Sequence, residues 1–383
     1  MFCDGKRDIV LWGCGLEGER FYYRFFHLKA KGIVEANVCC VVDNGHVNKK
    51  FHGFVIQSPN DIRGTNNLIC VSTSEHVYRM IRAELIQQGK EEFRDFIWAR
   101  MYFRKLCVWN GNCHFDVYLS YLNLSEKFRN QFCVYPFEAI MSGKPLPLRA
   151  LEEADLFLYQ HVKGNDPVFA CRNDEHVFPF LKDDTIKISV PNFYPLGEMI
   201  YQSQIRGEFF RYELINGVHI ILHDRLIDKA YSCGEMLSVE ELIKTICTIK
   251  LDFDSIKADF DKAIQELKRR QTTWDIYVLD FFLENYRDIP MFYDFAHPSK
   301  ELMIYVCRKL AKLLILDDID DNFFTSDLNG TESFVWPQIR EALQLNYNCK
   351  TVNGRSSIYD KNRLDLKEYL REYIWLFYGK LLP

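Results

Sequence analysis

Two short motifs far apart in the chain carry residues able to do chemistry together: Gly111-Asn112-Cys113 and Asp294-Phe295-Ala296-His297-Pro298. The first follows an apolar run, Leu106-Cys107-Val108-Trp109, and precedes a stretch of helical periodicity. That order predicts a strand-to-helix elbow, where a nucleophile is exposed and backbone N–H groups point at what it attacks. A free thiol is mostly protonated at neutral pH, so Cys113 needs a helix N-terminus or a nearby imidazole to supply thiolate. His297 is the candidate base, taking a proton from Cys113 or from an acceptor hydroxyl. Asp294, three residues earlier, could hold the imidazole tautomer, although that spacing also suits an ordinary turn. The pairing reads as acyl transfer on a thiol or thioester.

A developing oxyanion needs donors. The local candidates are the Cys113 N–H, the Asn112 side chain and the turn at Gly111. Gln160, ending the apolar run Leu156–Tyr159, is the distant one. The bland alternative for Cys113 is one more packed cysteine among thirteen; its strand-end position after Gly-Asn favours the chemical reading.

These residues must be positioned by alternating strands and helices. From Lys105 the expected order is strand Leu106–Trp109, a helix from Cys113 past Leu124, then strands at 132–135, 156–159 and 185–190. Helices dominate afterwards: an apolar stripe runs through residues 253–286, and Pro298-Ser299 opens another helix with proline in its first turn. An aromatic amphipathic helix closes the chain through Leu366, Tyr369, Leu370, Tyr373, Ile374 and Phe377. It is expected to dock onto the second domain, with a homodimer contact as the alternative.

The first hundred residues read as a smaller parallel-sheet domain. Strand Ile9–Trp12 runs into Gly13-Cys14-Gly15-Leu16-Glu17-Gly18 and then a helical run; strand Val38–Val42 ends in Asp43. Strand before, helix after and an acid at the next strand end make this Gly-x-Gly-x-x-Gly a Rossmann-like fingerprint. Gly13, Gly15, Gly18 and Asp43 are therefore candidates for a nucleotide or nucleotide-sugar site; a tight turn without ligand is the alternative. The pattern continues through a strand at 54–56, a helical turn at Pro59, strand 68–71 and helix 75–88. The expected fold class is α/β: a small Rossmann-like domain over 1–103, then a larger α/β domain over 104–383 with a helix-rich C-terminal half.

At 383 residues, two domains are the natural division. Net charge is −5 with both signs interspersed, so no nucleic-acid partner is expected. The thirteen cysteines show no regular spacing and no Cys-x-x-Cys pair, which argues for reduced thiols in a cytoplasm and against a structural zinc. No metal cofactor is expected, and no stretch reaches the ~18 apolar residues of a membrane span.

In their order, Gly111-Asn112-Cys113, Ala154–Gln160, Val190–Tyr194, His297-Pro298-Ser299 and Val335-Trp336-Pro337 resemble the WcbI-type polysaccharide biosynthesis acetyltransferases. The resemblance covers about residues 105–350. More distantly, the outer blocks resemble SGNH (GDSL) hydrolases, with cysteine in place of serine. Asn165, in Gly164-Asn165-Asp166, falls where those enzymes carry a Gly-x-Asn-Asp block, which implies a further oxyanion donor. The glycine here directly precedes the asparagine, and a plain loop residue is the alternative. The resemblance implies acetyl-CoA as acyl donor, a sugar or glycan hydroxyl as acceptor, and a role in capsular or other surface-polysaccharide synthesis. Lys268-Arg269-Arg270 is a weak candidate for coenzyme A phosphates, a solvated helix face being the commoner explanation. Two other readings remain: a glycan deacylase with water as acceptor, and a nucleotide-binding or oxidoreductase module in which Cys113 and His297 are structural.

Overall fold

The computed structural model describes residues 7–62, 64–136, 143–161, 170–193, 202–204, 222–232, 238–293, 297–325, 334–347, 352–353, 363–364 and 366–379. It divides into two compact units. The first holds residues 1–112 and 126–188, and the second holds 113–125 and 189–383. The first unit runs across position 103, where the chain passes from one sheet to the next.

In the first unit, β1 (Ile9–Trp12), α1 (Leu16–Ala30) and β2 (Val38–Val42) are followed by a hairpin of β3 (Lys50–Phe51) and β4 (Phe54–Val55). Then come β5 (Leu68–Val71), α2 (Glu75–Gln87) and β6 (Phe96–Trp98). The sheet order is β2-β1-β5-β6, and every pairing is parallel. The segment expected as a strand at 54–56 lies outside this sheet, because Lys50 and Phe51 pair with it antiparallel. A two-residue hairpin cannot supply a sheet strand.

β1 is buried along its whole length. Ile9 and Leu11 face the core that Phe21 and Phe25 of α1 fill, while Val10 and Trp12 enter a second core. Burial on both faces is what a parallel sheet requires, and it explains why β1 reads as an unbroken apolar run.

That second core is shared with a second sheet, through Leu106, Val108, Phe157 and Tyr159. Its members are β7 (Lys105–Asn110), β8 (Phe132–Val134) after α4 (Glu126–Gln131), β9 (Leu156–Tyr159) after α5 (Leu148–Glu152), and β10 (Ile186–Ser189) after α6 (Asp174–Val177). The order is β10-β9-β7-β8, with β7 parallel to both neighbours. The fold is α/β.

The second unit is helical. α3 (His114–Leu122) is followed, much later in the chain, by α7 (Arg225–Ser232), α8 (Val239–Thr248), α9 (Phe253–Gln271), α10 (Leu279–Asn285) and α11 (Lys300–Leu313). Next come α12 (Pro337–Leu343) and α13 (Leu366–Tyr378). Two small antiparallel pairs complete it, β11 (Gln202–Gln204) with β12 (Leu222–Asp224), and β13 (Val352–Asn353) with β14 (Arg363–Leu364). The single stripe expected over 253–286 is two helices. The chain breaks after Gln271, whose side chain accepts the Val278 and Leu279 N–H groups at the next helix start. Among the described residues no helix is long and apolar enough to cross a membrane.

The C-terminal helix docks within its own unit through buried Leu370, Tyr373 and Ile374. Tyr373 accepts the Asp224 N–H at 3.0 Å and donates to Asp228 at 2.8 Å. Asp224 is buried, accepting from Trp336 Nε1 at 2.8 Å and from the Leu226 and Ile227 N–H groups. Burial outweighs these bonds and raises its pKa to about 6. The unfolded carboxyl titrates near ~4, so between the two values the folded chain keeps a proton that the unfolded chain has lost. Stability therefore falls as pH rises through this window, by at most about 3 kcal/mol. Asp224→Asn should remove that contribution. Urea midpoints followed across the window will move in the variant's favour as pH rises, and parallel curves would contradict the assignment.

Candidate functional site

Cys113 occupies the N-cap position of α3, with helical backbone angles (φ −58°, ψ −16°) and no side-chain capping bond. The helix expected to begin at Cys113 thus begins one residue later, leaving the thiol at its head. Buried Phe115, Tyr118 and Leu122 anchor α3, and the Tyr118 hydroxyl donates to the Pro191 carbonyl at 3.3 Å. At its far end, Tyr121 donates to Asp321 at 2.5 Å and Ser125 to Asp318 at 2.6 Å.

His297 is placed by antiparallel pairing of the residues before and after it. Phe292 bridges to Pro298, Tyr293 N–H donates to the His297 carbonyl at 2.8 Å, and Ser299 N–H donates to the Met291 carbonyl at 2.8 Å. Ser299, not Pro298, caps α11, its side chain accepting the Leu302 N–H at 3.4 Å. Proline was expected inside the first turn; it sits one residue before the cap because a serine hydroxyl satisfies the orphan donor better. Buried Leu302, Met303, Val306, Cys307 and Leu310 then pack α11, which lies against α3.

The outcome is that Cys113 Sγ lies 3.9 Å from His297 Nε2. Both side chains are half-buried, and the distance suits proton exchange between thiol and imidazole. Asp294 and Asn165 lie outside the described residues.

In the first unit, Gly111 and Asn112 follow β7. Asn112 N–H donates to Gln160 Oε1 at 2.9 Å, and Gln160 N–H donates to the Asn110 carbonyl at 2.9 Å. Buried Asn110 also donates through Nδ2 to the Arg172 carbonyl at 2.8 Å. Gln160 is 2% exposed and acts here as an acceptor. Beside it, His161 Nδ1 lies 2.5 Å from Asp174 Oδ2, an oriented imidazole not singled out in the sequence. Its signal was its place directly after a strand end, but its partner is thirteen residues away, at the start of α6.

The glycines after β1 form a tight turn with a close helix approach. Gly13 has φ +112°, and a Cβ there would lie 2.5 Å from the Ser72 carbonyl oxygen. A Cβ on Gly18 would lie 2.3 Å from the Gly13 carbonyl oxygen, whereas Gly15 faces open space. Asp43 sits just past β2, its carboxylate accepting the Cys14 and Gly45 N–H groups at 3.2 and 2.8 Å. Cys14 Sγ and His46 Nδ1 lie 3.3 and 3.1 Å from the same carboxylate. The Arg269 and Arg270 side chains both bond Glu266, whose pKa falls to about 2 through those bonds.

Fold and geometry together define an α/β protein with a thiol and an imidazole brought within reach at the head of one helix. A family model described as the polysaccharide biosynthesis enzyme WcbI matches residues 106–318. That is more than half of the chain, and the protein belongs to this family of polysaccharide biosynthesis enzymes. A solved structure of WcbI, a polysaccharide biosynthesis enzyme, aligns with TM-score 0.54 at 20% identity, covering 71% of this chain and 90% of that one. It is described as the native protein without a disulfide bond between coenzyme A and one of its cysteines. At that identity the likeness speaks for the fold. No curated protein matches the chain.

The glycine geometry separates two substitutions. Gly15→Ala should leave thermal stability within about 0.5 kcal/mol of the native chain, as an open surface site does. Gly18→Ala should cost on the order of 1–3 kcal/mol, because α1 must move off the Gly13 carbonyl. Equal melting curves for the two variants would contradict this packing.

Proposed function

We propose that the chain is an acyltransferase of polysaccharide biosynthesis that moves an acetyl group from acetyl-CoA to a sugar hydroxyl. The observation that carries this reading is the 3.9 Å approach of Cys113 Sγ to His297 Nε2. His297 takes the Cys113 proton, and the thiolate attacks the thioester carbonyl. The coenzyme A sulfur leaves with that proton, and Cys113 holds the acetyl group as a thioester. His297 then takes the proton of the acceptor hydroxyl, whose oxygen attacks the acetyl carbon and releases the Cys113 thiolate. Exchange between two thioesters is nearly balanced, which suits cysteine as a relay.

The donor is carried over from the motifs' resemblance to acetyltransferases, and from the coenzyme A named in the description of the solved relative. Cys113 N–H, Gly111 and Asn112 precede or begin α3 in the chain, and their proposed role at the oxyanion rests on that position. Gln160 holds the Asn112 N–H, so a donor role for it falls to its Nε2 group. Asp294 as the orienting carboxylate and Asn165 as a further donor rest on sequence alone. For residues 1–103 we propose a nucleotide or nucleotide-sugar site at Gly13, Gly15, Gly18 and Asp43, supported by the open space at Gly15.

The alternative with water as acceptor, a glycan deacylase, uses the same pair. A calorimetric titration of the full chain with coenzyme A separates them: saturation near one per chain is expected for the transferase. Cys113→Ala and His297→Ala should then each lower acetyl transfer at least about 100-fold with the fold intact. A folded protein that fails to bind coenzyme A but hydrolyses acetyl esters would overturn transfer in favour of the deacylase.

A further inference from the structure

The acyl-transfer reading makes no use of Cys14, the residue between the first two glycines of the turn after β1. Its thiol is one corner of a mixed cluster. Cys14 comes from the β1–α1 turn, Asp43 from the end of β2, and His46 from the loop beyond. One ligand atom of each lies within 4.8 Å of the others. We propose that Cys14, Asp43 and His46 bind a thiophilic divalent cation, Zn2+, leaving a fourth position open to solvent.

The spacing is close to what the ion needs, with one carboxylate oxygen beside the thiol and the other beside the imidazole. Zinc takes sulfur at about 2.3 Å and nitrogen or oxygen at about 2.0–2.2 Å, so tetrahedral neighbours stand about 3.3–3.6 Å apart. Here Sγ of Cys14 is 3.3 Å from Asp43 Oδ2, and Nδ1 of His46 is 3.1 Å from Oδ1. The carboxylate is already oriented: the Cys14 N–H donates to Oδ2 and the Gly45 N–H to Oδ1. His46 is half exposed, so its ring can adjust.

The charges also balance. Binding releases the thiol proton to solvent, and thiolate, carboxylate and neutral imidazole then offer two negative charges to a dication. Without a cation, burial and then the bond to Asp43 push the Cys14 thiol up to about 11, so it remains a protonated donor and an unreactive thiol. A cation and a ribose hydroxyl would compete for the same carboxylate oxygens. The proposal therefore concerns the carboxylate that the nucleotide reading also claims, and it stands apart from acyl transfer.

The test is a Co2+ titration of the chelator-stripped full chain, kept reduced with a phosphine. One Co2+ per chain is expected, with thiolate-to-cobalt charge-transfer absorption that added Zn2+ abolishes. Cys14→Ser and His46→Ala should each weaken binding by at least about tenfold. Cys39→Ala, Cys247→Ala and Cys113→Ala should leave the band unchanged. His46→Ala alters a half-exposed loop residue, so its result stands even where Cys14→Ser disturbs the glycine turn. No charge-transfer band, or one that survives both Cys14→Ser and His46→Ala, would overturn the site.

Discussion

The contact on which the candidate chemistry depends is the packing of α3 against α11. Cys113 heads the first helix, and His297 stands three residues before the start of the second, so helix packing sets the thiol–imidazole distance. Each fully buried side chain along these helices contributes roughly 1.5–3 kcal/mol. The exposed pair Arg308–Asp321, at 2.6 Å, contributes at most about 1 kcal/mol. Apolar packing therefore holds the helices, while Tyr121–Asp321 and Ser125–Asp318 fix how far α3 can rotate or slide. A rotation of α3 would carry Cys113 off His297 long before it unfolded anything.

In the first unit the corresponding constraint is polar. The end of β7 is tied by three consecutive bonds, from Asn110 to Arg172, from Gln160 to Asn110 and from Asn112 to Gln160. Asn110 and Gln160 are almost wholly buried, so breaking one bond strands a donor or acceptor away from water at a cost of about 1–3 kcal/mol. Asn110 already leaves Oδ1 without a partner among the described residues. A buried, partly unsatisfied amide at a strand end is poor for stability alone, and such sites are expected where position matters more than comfort.

Much of this was legible because the sequence repeats local rules. The glycine spacing required a turn with one positive φ and one close helix approach, and Gly13 and Gly18 supply them. The apolar runs of β1, β5, β7 and β9 required strands buried on both faces. What escaped notice depended on competition between neighbours. Pro298 and Ser299 both signal a helix start, and only capping geometry decides between them. Residues 253–286 keep their apolar periodicity across a break that a single glutamine side chain bridges. The strand expected at 54–56 has the right composition but finds Lys50–Phe51 before it finds the sheet. The pairing of Cys113 with His297 was inferred from residue type, and its distance could come only from the fold.

The proposed role of Cys113 among so many thiols has a physical argument behind it. Burial drives the Cys107 and Cys307 thiols far above their ordinary range and Cys133 up to about 12. None of the three can yield thiolate near neutral pH, since the charge would lie in apolar core. Cys14 is held by Asp43, a carboxylate that opposes ionisation. Cys39, Cys40 and Cys247 are also raised by burial. Cys171 leans on the Gly143 carbonyl, at 3.7 Å. Cys113 stands at a helix head with an imidazole nitrogen 3.9 Å away and, unlike Cys14, with no carboxylate bonded to its thiol among the described residues. Burial keeps Cys107 and Cys133, the nearest to Cys113 in sequence, protonated.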